Sequence, residues 1–311
     1  MTQEIKPVWI VAGPTASGKS ALAVELAHQN NGVVINADSM QIYQEIPVIS
    51  AQPPVDEQEG IPHLLYGFHR ITDHYSAAEW ANAASKAIYE TQAQGKQPIL
   101  VGGSGLYLKA LTDGFSPMPE VPAGIRRHVS DLYDMLGPAG FHTALDKIDP
   151  IIAARLHPTD RQRCIRAREI YEVSGEPLSA WQARPKTKVA PDLTFKSLVL
   201  LPNREWLHER INRRFIMMTE QGALEEAALV NALDIPQPTT GTRAVGLQAL
   251  RDYKEHFLTL DEAIEQGQTL TRQYAKRQYT WFRGQPLPDS LSIDNTLPDA
   301  MDLILKKFNP A

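Results

Sequence analysis

Gly13, Gly18, Lys19 and Ser20 stand at the spacing of a phosphate-binding loop: Gly, four free positions, Gly, Lys, then Ser or Thr. The whole stretch is Gly13-Pro14-Thr15-Ala16-Ser17-Gly18-Lys19-Ser20. Such a loop surrounds an anion with successive backbone N–H groups and the positive end of the following helix. Lys19 would add a point charge, and the Ser20 hydroxyl would face a Mg²⁺. The pattern predicts a phosphate site but leaves open whether the phosphates belong to ATP. An ATP-splitting loop of this kind needs an acid at the end of another strand to hold Mg²⁺. The apolar run ending at Val101 leads into Gly102-Gly103, and the run ending at Leu201 leads into Pro202. Neither supplies that acid. Asp38 does end a strand-like run, Val33-Val34-Ile35-Asn36, where ligands of parallel sheets bind. A Mg²⁺ ligand, a general base and a cap for a helix starting at Ser39 are all open to it. A phosphate grip beside one base suits a group transfer in which diphosphate leaves. The loop, Lys19, Mg²⁺ and nearby arginines would stabilise the leaving charge, and Asp38 would take a proton from the acceptor.

The elements that must hold these residues are legible. Val8-Trp9-Ile10-Val11-Ala12 reads as a buried strand, and the residues from Ala21 to His28 read as a helix ended by Asn30-Asn31-Gly32. The Pro-rich segment 48–66 reads as loop. A capping box, Ser76-Ala77-Ala78-Glu79, opens a helix that stops at Gly95. Pro98-Ile99-Leu100-Val101 is a third strand, followed by a short helix through Leu111. Strands alternating with helices predict an α/β fold, a P-loop NTPase-like parallel sheet flanked by helices. The pattern then changes. Residues 117–187, bounded by Pro-rich stretches, carry helical periodicity and predict an inserted all-helical domain. Residues 1–116 and 188–311 form the core, with a helical C-terminal region. Lys196 to Leu201 resumes the strands, and Leu291-Ser292-Ile293 is a candidate edge strand. Asn203 caps a helix reaching about Gly222, with Leu207, Ile211, Phe215 and Met218 on one stripe and Arg210 and Arg214 off it.

Bulk properties narrow the class. The 311 residues are 43% hydrophobic and 22% charged, with no apolar run near the roughly 18 residues a membrane helix needs. One cysteine, Cys164, excludes an internal disulfide and argues against zinc. A cytoplasmic protein is the simplest expectation. The net charge of −5 argues against bulk affinity for nucleic acid, yet the basic residues are segregated. No acidic residue falls between Gln266 and Pro288, where Arg272, Lys276, Arg277 and Arg283 lie, and Asp160 alone opposes Arg155, Arg161, Arg163, Arg166 and Arg168. Such patches on an acidic protein point to a polyanionic partner at defined surfaces.

The ordered set of motifs resembles the tRNA dimethylallyltransferases, also called tRNA isopentenyltransferases. The resemblance rests on the loop 13–20 and on Asp38-Ser39-Met40-Gln41-Ile42-Tyr43. It continues in Val101-Gly102-Gly103-Ser104-Gly105-Leu106-Tyr107, in Leu156-His157-Pro158-Thr159-Asp160-Arg161-Gln162-Arg163, and in the stretch from Thr271 to Arg283. It implies dimethylallyl diphosphate as donor and, as acceptor, N6 of the adenosine immediately 3′ of the anticodon, in tRNAs reading codons that begin with U. Asp38 corresponds to the family's general base, residues 13–20 to its diphosphate loop with Mg²⁺ near Ser20, and Arg214 to an arginine on the diphosphate. Ser104 stands where the family often has Thr, its hydroxyl near the target adenine. The tRNA-contacting segments correspond to Asp38, Ser39, Met40 and Gln41; to Arg126 and to Gln162, Arg163, Cys164, Ile165 and Arg166 in a tRNA-gripping insertion; to Arg243, Ala244, Val245, Gly246, Leu247 and Gln248; and to Lys276, Arg277, Gln278, Tyr279, Thr280, Trp281, Phe282 and Arg283. The anticodon stem-loop is the expected partner, and a monomer the expected state. Two positions depart from the family: Gln52 stands where Lys is common, and Leu247 where Tyr is frequent.

Chemistry on a base requires it out of the stack, and anticodon-loop bases are cheap to extrude. Basic residues interleaved with Tyr274, Tyr279, Trp281 and Phe282 fit phosphate contact plus stacking, although helix core is the ordinary use of such aromatics. A nucleoside or small-molecule kinase using ATP is the alternative that the loop alone would favour. An RNA-binding module with a vestigial loop, and transfer to free adenine nucleotides, are further readings. Asp38→Asn is expected to keep tRNA and diphosphate binding while losing turnover; full activity in that variant removes the base assignment.

Overall fold

Val8-Trp9-Ile10-Val11-Ala12 carries no charged side chain and every residue of it is buried, so it must lie inside a sheet covered on both faces. In the computed structural model, which describes residues 6–233, 235, 239–294, 304 and 308, this segment is β1 (Val8–Ala12). The chain continues through α1 (Lys19–Asn30), β2 (Gly32–Asn36), β3 (His63–Leu64), α2 (Ala77–Ala93), β4 (Gln97–Gly102) and α3 (Gly105–Thr112). Four helices follow: α4 (Ala123–Asp146), α5 (Pro150–Ala153), α6 (Arg161–Ser174) and α7 (Leu178–Ala183). Then come β5 (Phe195–Leu200), α8 (Arg204–Glu220), α9 (Ala223–Ala232), α10 (Leu247–Lys254), α11 (Leu260–Gly284) and β6 (Ser290–Ile293). Two compact units result, Met1–Thr112 with Val189–Ala311, and Asp113–Lys188.

The strands form one parallel sheet in the order β3-β2-β4-β1-β5-β6. The α/β architecture read from alternating strands and helices is therefore the observed one. The chain leaves β1 toward β2 on one side and later fills β5 on the other, so the sheet has a switch point, where such folds bind ligands. The carboxyl ends of β1, β2 and β4 lead into residues 13–18, Ala37-Asp38 and Gly103-Ser104 respectively. One side of the core joins Trp9, Val11, Leu22, Leu26, Val34, Ile99 and Leu198 with Ile304 and Phe308. The Ser76 capping box starts α2 as expected, and β6 is a parallel edge strand. The Pro-rich stretch hides one short strand, β3, because two residues bounded by turns have no readable periodicity.

The second unit has its own core, including Val129, Tyr133, Phe141, Leu145 and Ile170. Within α4 the helix breaks at Gly137 (φ 66°), before Pro138, whose ring cannot continue the hydrogen-bond ladder. Asp149 is buried and accepts N–H from Ile152 (3.1 Å) and Ser179 (2.9 Å), which ties α5 to α7.

In the first unit α8 is the bridge to the site. Its stripe, Leu207, Ile211, Phe215 and Met218, is buried as the spacing predicts, and Leu207 and Ile211 pack with Ala16 and Ala275. Phe215 is seated on two glycines. A Cβ on Gly246 (φ 86°) would lie 2.5 Å from its ring, and one on Gly267 of α11 would overlap it. Gly267→Ala gains about 1 kcal/mol in helix propensity. The displaced ring costs about 1–3 kcal/mol of overpacking, so the net change is expected to be destabilising. Thermal unfolding is expected to show a lower Tm, and an unchanged or higher Tm would remove the seat as a constraint.

Candidate active site

The loop after β1 is built by backbone that most residues avoid. Gly13 has φ 154°, and a Cβ there would sit 2.6 Å from the Leu200 carbonyl oxygen on β5. Gly18, at the N-cap of α1, has φ 91°. Four side chains then hold the loop. Lys19 Nζ donates to Pro14 O (3.3 Å), and Arg210 Nε donates to Ala16 O (3.0 Å). Arg214 Nη2 donates to Thr15 Oγ1 (2.5 Å). Gln278 Oε1 accepts the Thr15 N–H (2.8 Å) while its Nε2 donates to Gly103 O (3.0 Å), so one amide from α11 ties the loop to the end of β4. The Ser17 hydroxyl is buried with no hydrogen-bond partner among the described residues.

Asp38 is held beside this loop by its own neighbours. Asn36, fully buried, accepts the Asp38 N–H (2.8 Å) and donates to Asp38 O (3.0 Å) and Leu65 O (2.9 Å). Asp38 Oδ1 accepts the Met40 N–H (3.0 Å). Residues 39–51 form turns, so Asp38 closes a local turn and caps no helix. Ser104 Oγ accepts the Ser39 N–H (2.8 Å) and donates to Ser39 Oγ (3.0 Å). The three glycines after Val101 explain the closeness. A Cβ on Gly102 would overlap the Ala37 carbonyl, one on Gly103 the Gln278 amide, and one on Gly105 the Trp281 ring.

The electrostatics are those of an anion site. Asp38 is 8% exposed and Lys19 9%. Burial lowers the Lys19 ammonium to about 8; Asp38 opposes that shift and Arg214 adds to it. Burial likewise lowers Arg214 to about 10, opposed by Asp38 and reinforced by Arg210. The cationic groups are under-neutralised by the one carboxylate among them, and an entering anion would complete the balance. Burial, with Asp38 next, pushes up the phenols of Tyr66 and Tyr274, so both stay protonated.

A cleft opens from this corner. Thr15, Asp38 and Arg214 line its polar end, and Met40, Ile49, Phe215, Met218, Val245 and Tyr274 its apolar walls. Among the described residues there is no cluster of three or more His, Cys, Asp or Glu that could cage a metal. One hydroxyl on α1, Ser20, and one nearby carboxylate fit a Mg²⁺ carried largely by substrate phosphates and water.

The residues expected to touch tRNA divide by exposure. Lys276, Arg277, Thr280 and Arg283 are exposed on α11, Arg243 and Gln248 are exposed before and on α10, and Ser39, Met40, Gln41 and Val245 are half-buried. Tyr279 and Trp281 are half-buried, with Arg204 (5.5 Å) and Arg283 (5.9 Å) over the Tyr279 ring. Gln278 and Phe282 are buried, and so are Ala244, Gly246 and Leu247, so their side chains serve the core and the loop clamp. Leu247, in the place of a frequent Tyr, faces that core, and Gln52, in the place of a Lys, donates to Tyr43 O (2.7 Å). In the unit Asp113–Lys188, Gln162 and Arg163 are exposed and Arg126 and Arg166 half-buried, while Cys164 and Ile165 are core. The arginine cluster there is less segregated than its local sequence suggests. Arg161 pairs with Asp134 (2.8 Å), Arg163 with Asp160 (3.3 Å), Arg166 with Glu169 (3.4 Å) and Arg168 with Glu172 (2.5 Å). Sequence reasoning missed the loop contact of Arg210, the clamp at Gln278 and the wall at Ile49. Only Arg210 left a signal, one turn before Arg214 on the same side of α8.

The chain matches the family described as IPP transferase over residues 41–285. It is 43% identical to a tRNA dimethylallyltransferase of Azorhizobium caulinodans, covering 93% of this chain and 92% of that one. A tRNA dimethylallyltransferase of Rickettsia massiliae is 38% identical, over 97% of this chain and 83% of its own. Among solved structures, a tRNA isopentenylpyrophosphate transferase from Bacillus halodurans superposes with a TM-score of 0.68 at 31% identity, covering 97% of this chain and 96% of that one. A eukaryotic dimethylallyltransferase acting on tRNA gives a TM-score of 0.72 at 28% identity, over 98% of this chain and 76% of its own.

Lys19 sets a pH dependence whose sign follows from its shift. Below about 8 the ammonium is already formed and an anion binds without proton uptake. Above that value, binding must first recruit a proton, so affinity for an unreactive allylic diphosphate analogue is expected to fall by up to about tenfold per pH unit. Titration of wild type against Lys19→Met checks this, and the same slope in both removes Lys19 as its source.

Proposed function

The chain belongs to the IPP transferase family, and from that premise we propose that it moves a dimethylallyl group from dimethylallyl diphosphate to N6 of the adenosine immediately 3′ of the anticodon, in tRNAs reading codons that begin with U. The observation that carries the reading is the two-ended cleft. Thr15 and Arg214 at its polar end stand with the phosphate loop, and Met40, Ile49, Phe215 and Met218 give it an apolar wall. A short branched hydrocarbon on a diphosphate has that polarity. Asp38 lines the polar end with them.

The chemistry follows from charge. The loop N–H groups, Lys19 and Arg214 bind the diphosphate and stabilise the negative charge that grows as the bond from C1 to oxygen breaks. The adenine N6 attacks C1 as diphosphate leaves with the bonding electrons, and Asp38 removes the N6 proton. An exocyclic amine conjugated with its ring is a poor nucleophile, so proton removal concurrent with attack is what the base contributes. Ser104, next to Ser39 and within reach of Tyr274, is placed to orient the extruded base. A Mg²⁺ held by Ser20 and the diphosphate would supply further neutralisation of the leaving group. The exposed basic stripe of α11 supports phosphate contacts with the anticodon stem-loop. A monomeric enzyme is part of this reading, and no described helix is long and apolar enough to cross a membrane. A cytoplasmic site of action accords with a tRNA substrate. The kinase reading is set aside, because the relatives named above are prenyl-transferring enzymes acting on tRNA.

Incubation with Mg²⁺, dimethylallyl diphosphate and unmodified tRNA is expected to add one dimethylallyl group in the anticodon loop, located by mass spectrometry of nuclease fragments. No addition by folded protein, or consumption of ATP without the prenyl donor, overturns the reading.

A further inference from the structure

Glu226 is a buried carboxylate that the transfer chemistry does not use. It lies on α9 and is 9% exposed, and its two oxygens accept the consecutive backbone N–H groups of Val48 (2.7 Å) and Ile49 (2.8 Å). Those residues are far away in the chain and belong to the turn that follows Asp38. That turn is fixed from its other side as well. Gln41 Nε2 donates to Ser50 O (3.2 Å) and Ala51 O (2.5 Å), and Ala51 has φ 55°. Ser39, at the start of the same segment, is tied to Ser104. The segment from Asp38 to Ala51 is thus held at both ends, and its far end is held by the Glu226 carboxylate.

What the far end carries is Ile49 and Ser50, which line the cleft with Phe215 and Met218. Ile49 is itself 7% exposed, so it closes the wall. A buried carboxylate is costly unless its lone pairs are met, and two adjacent N–H groups meet them on one side. Burial raises the Glu226 pKa, and the N–H groups of Ile49 and Val48 oppose the rise.

We propose that Glu226 is a positioning residue that holds Ile49 as the water-excluding wall of the prenyl cleft, and so keeps diphosphate release coupled to transfer. The inference rests on the dimethylallyl-transfer reading above. An allylic carbon losing diphosphate is attacked by whatever nucleophile reaches it. With the wall closed that nucleophile is N6 of adenosine. With the wall open, water oxygen bonds to C1, the bond from C1 to diphosphate breaks, diphosphate leaves with the electron pair, and the water proton passes to solvent. The product is then dimethylallyl alcohol and no modified tRNA.

The measurement is the ratio of diphosphate released to adenosine prenylated, with saturating unmodified tRNA, Mg²⁺ and dimethylallyl diphosphate. This ratio is taken per turnover, so a fraction of unfolded protein lowers both terms and leaves it unchanged. Wild type is expected near one. In Glu226→Gln the amide NH2 faces one of the two N–H donors, and the ratio is expected to rise at least about threefold, with KM for dimethylallyl diphosphate raised about tenfold. Glu226→Asp, which keeps a carboxylate, is expected to restore much of the coupling. Ile49→Ala opens the wall with Glu226 intact and is expected to raise the ratio as well, which keeps the test valid should Glu226→Gln fail to fold. A ratio near one in both Glu226→Gln and Ile49→Ala overturns the inference while leaving the transfer reading standing. Absence of any prenylation by wild type overturns the transfer reading and this inference with it.

Discussion

A nearly dry corner holding Lys19, Arg214 and Asp38 is the constraint the rest of the first unit serves. Burial penalises the charges of Lys19 and Arg214, and the two cations exceed the one carboxylate, so the folded site is short of negative charge. Such a corner persists only if its polar groups are held by other parts of the chain. Arg210 and Arg214 reach it from α8, Gln278 from α11, and Asn36 from β2. The deficit is what makes the site a receptor for an anion. The same supports that stabilise the loop without ligand hold its donors where an anion needs them.

The glycines show how closely the elements must approach for this to work. Asp38 ends one strand and the phosphate loop another, and β4 runs between those strands. Side chains at its end would force the two apart. Gly102 lets the Ala37 backbone pass, Gly103 admits the Gln278 amide, and Gly105 takes the Trp281 ring. Gly246 and Gly267 do the same for Phe215, which sets the height of α8 and with it the reach of Arg214. Here glycine supplies room more than flexibility.

The polar and apolar halves of the cleft are built differently. The polar half comes from strand ends and helix starts, where backbone N–H groups point outward as a matter of geometry. The apolar half comes from a turn-rich segment and the buried stripe of α8. The turns have one isolated parallel bridge, Tyr43 with His69, among the described residues, and Gln41, Gln52 and Glu226 add side-chain hydrogen bonds to it.

Local patterns were enough to determine the parallel α/β class, the loop at residues 13–20, the position of Asp38 at a strand end, the Ser76 capping box and the buried stripe of α8. Each depends on residues within a few positions of one another, where periodicity and backbone preference act directly. The ordered motifs also carried the family resemblance. The tertiary structure alone decided that Gln278 turns inward to clamp the loop, that Cys164, Ile165, Ala244, Leu247 and Phe282 are core, and that carboxylates neutralise much of the arginine cluster of α6. It also decided that Glu226 meets Val48 and Ile49. In helix α11 the residues Arg277, Gln278 and Tyr279 look equally available as a sequence, yet they point to solvent, to the loop and to Leu201 just after β5 respectively. A string of residue types records what each side chain can do. Which neighbour it meets depends on packing between segments far apart in the chain, and that information exists only once the chain has folded.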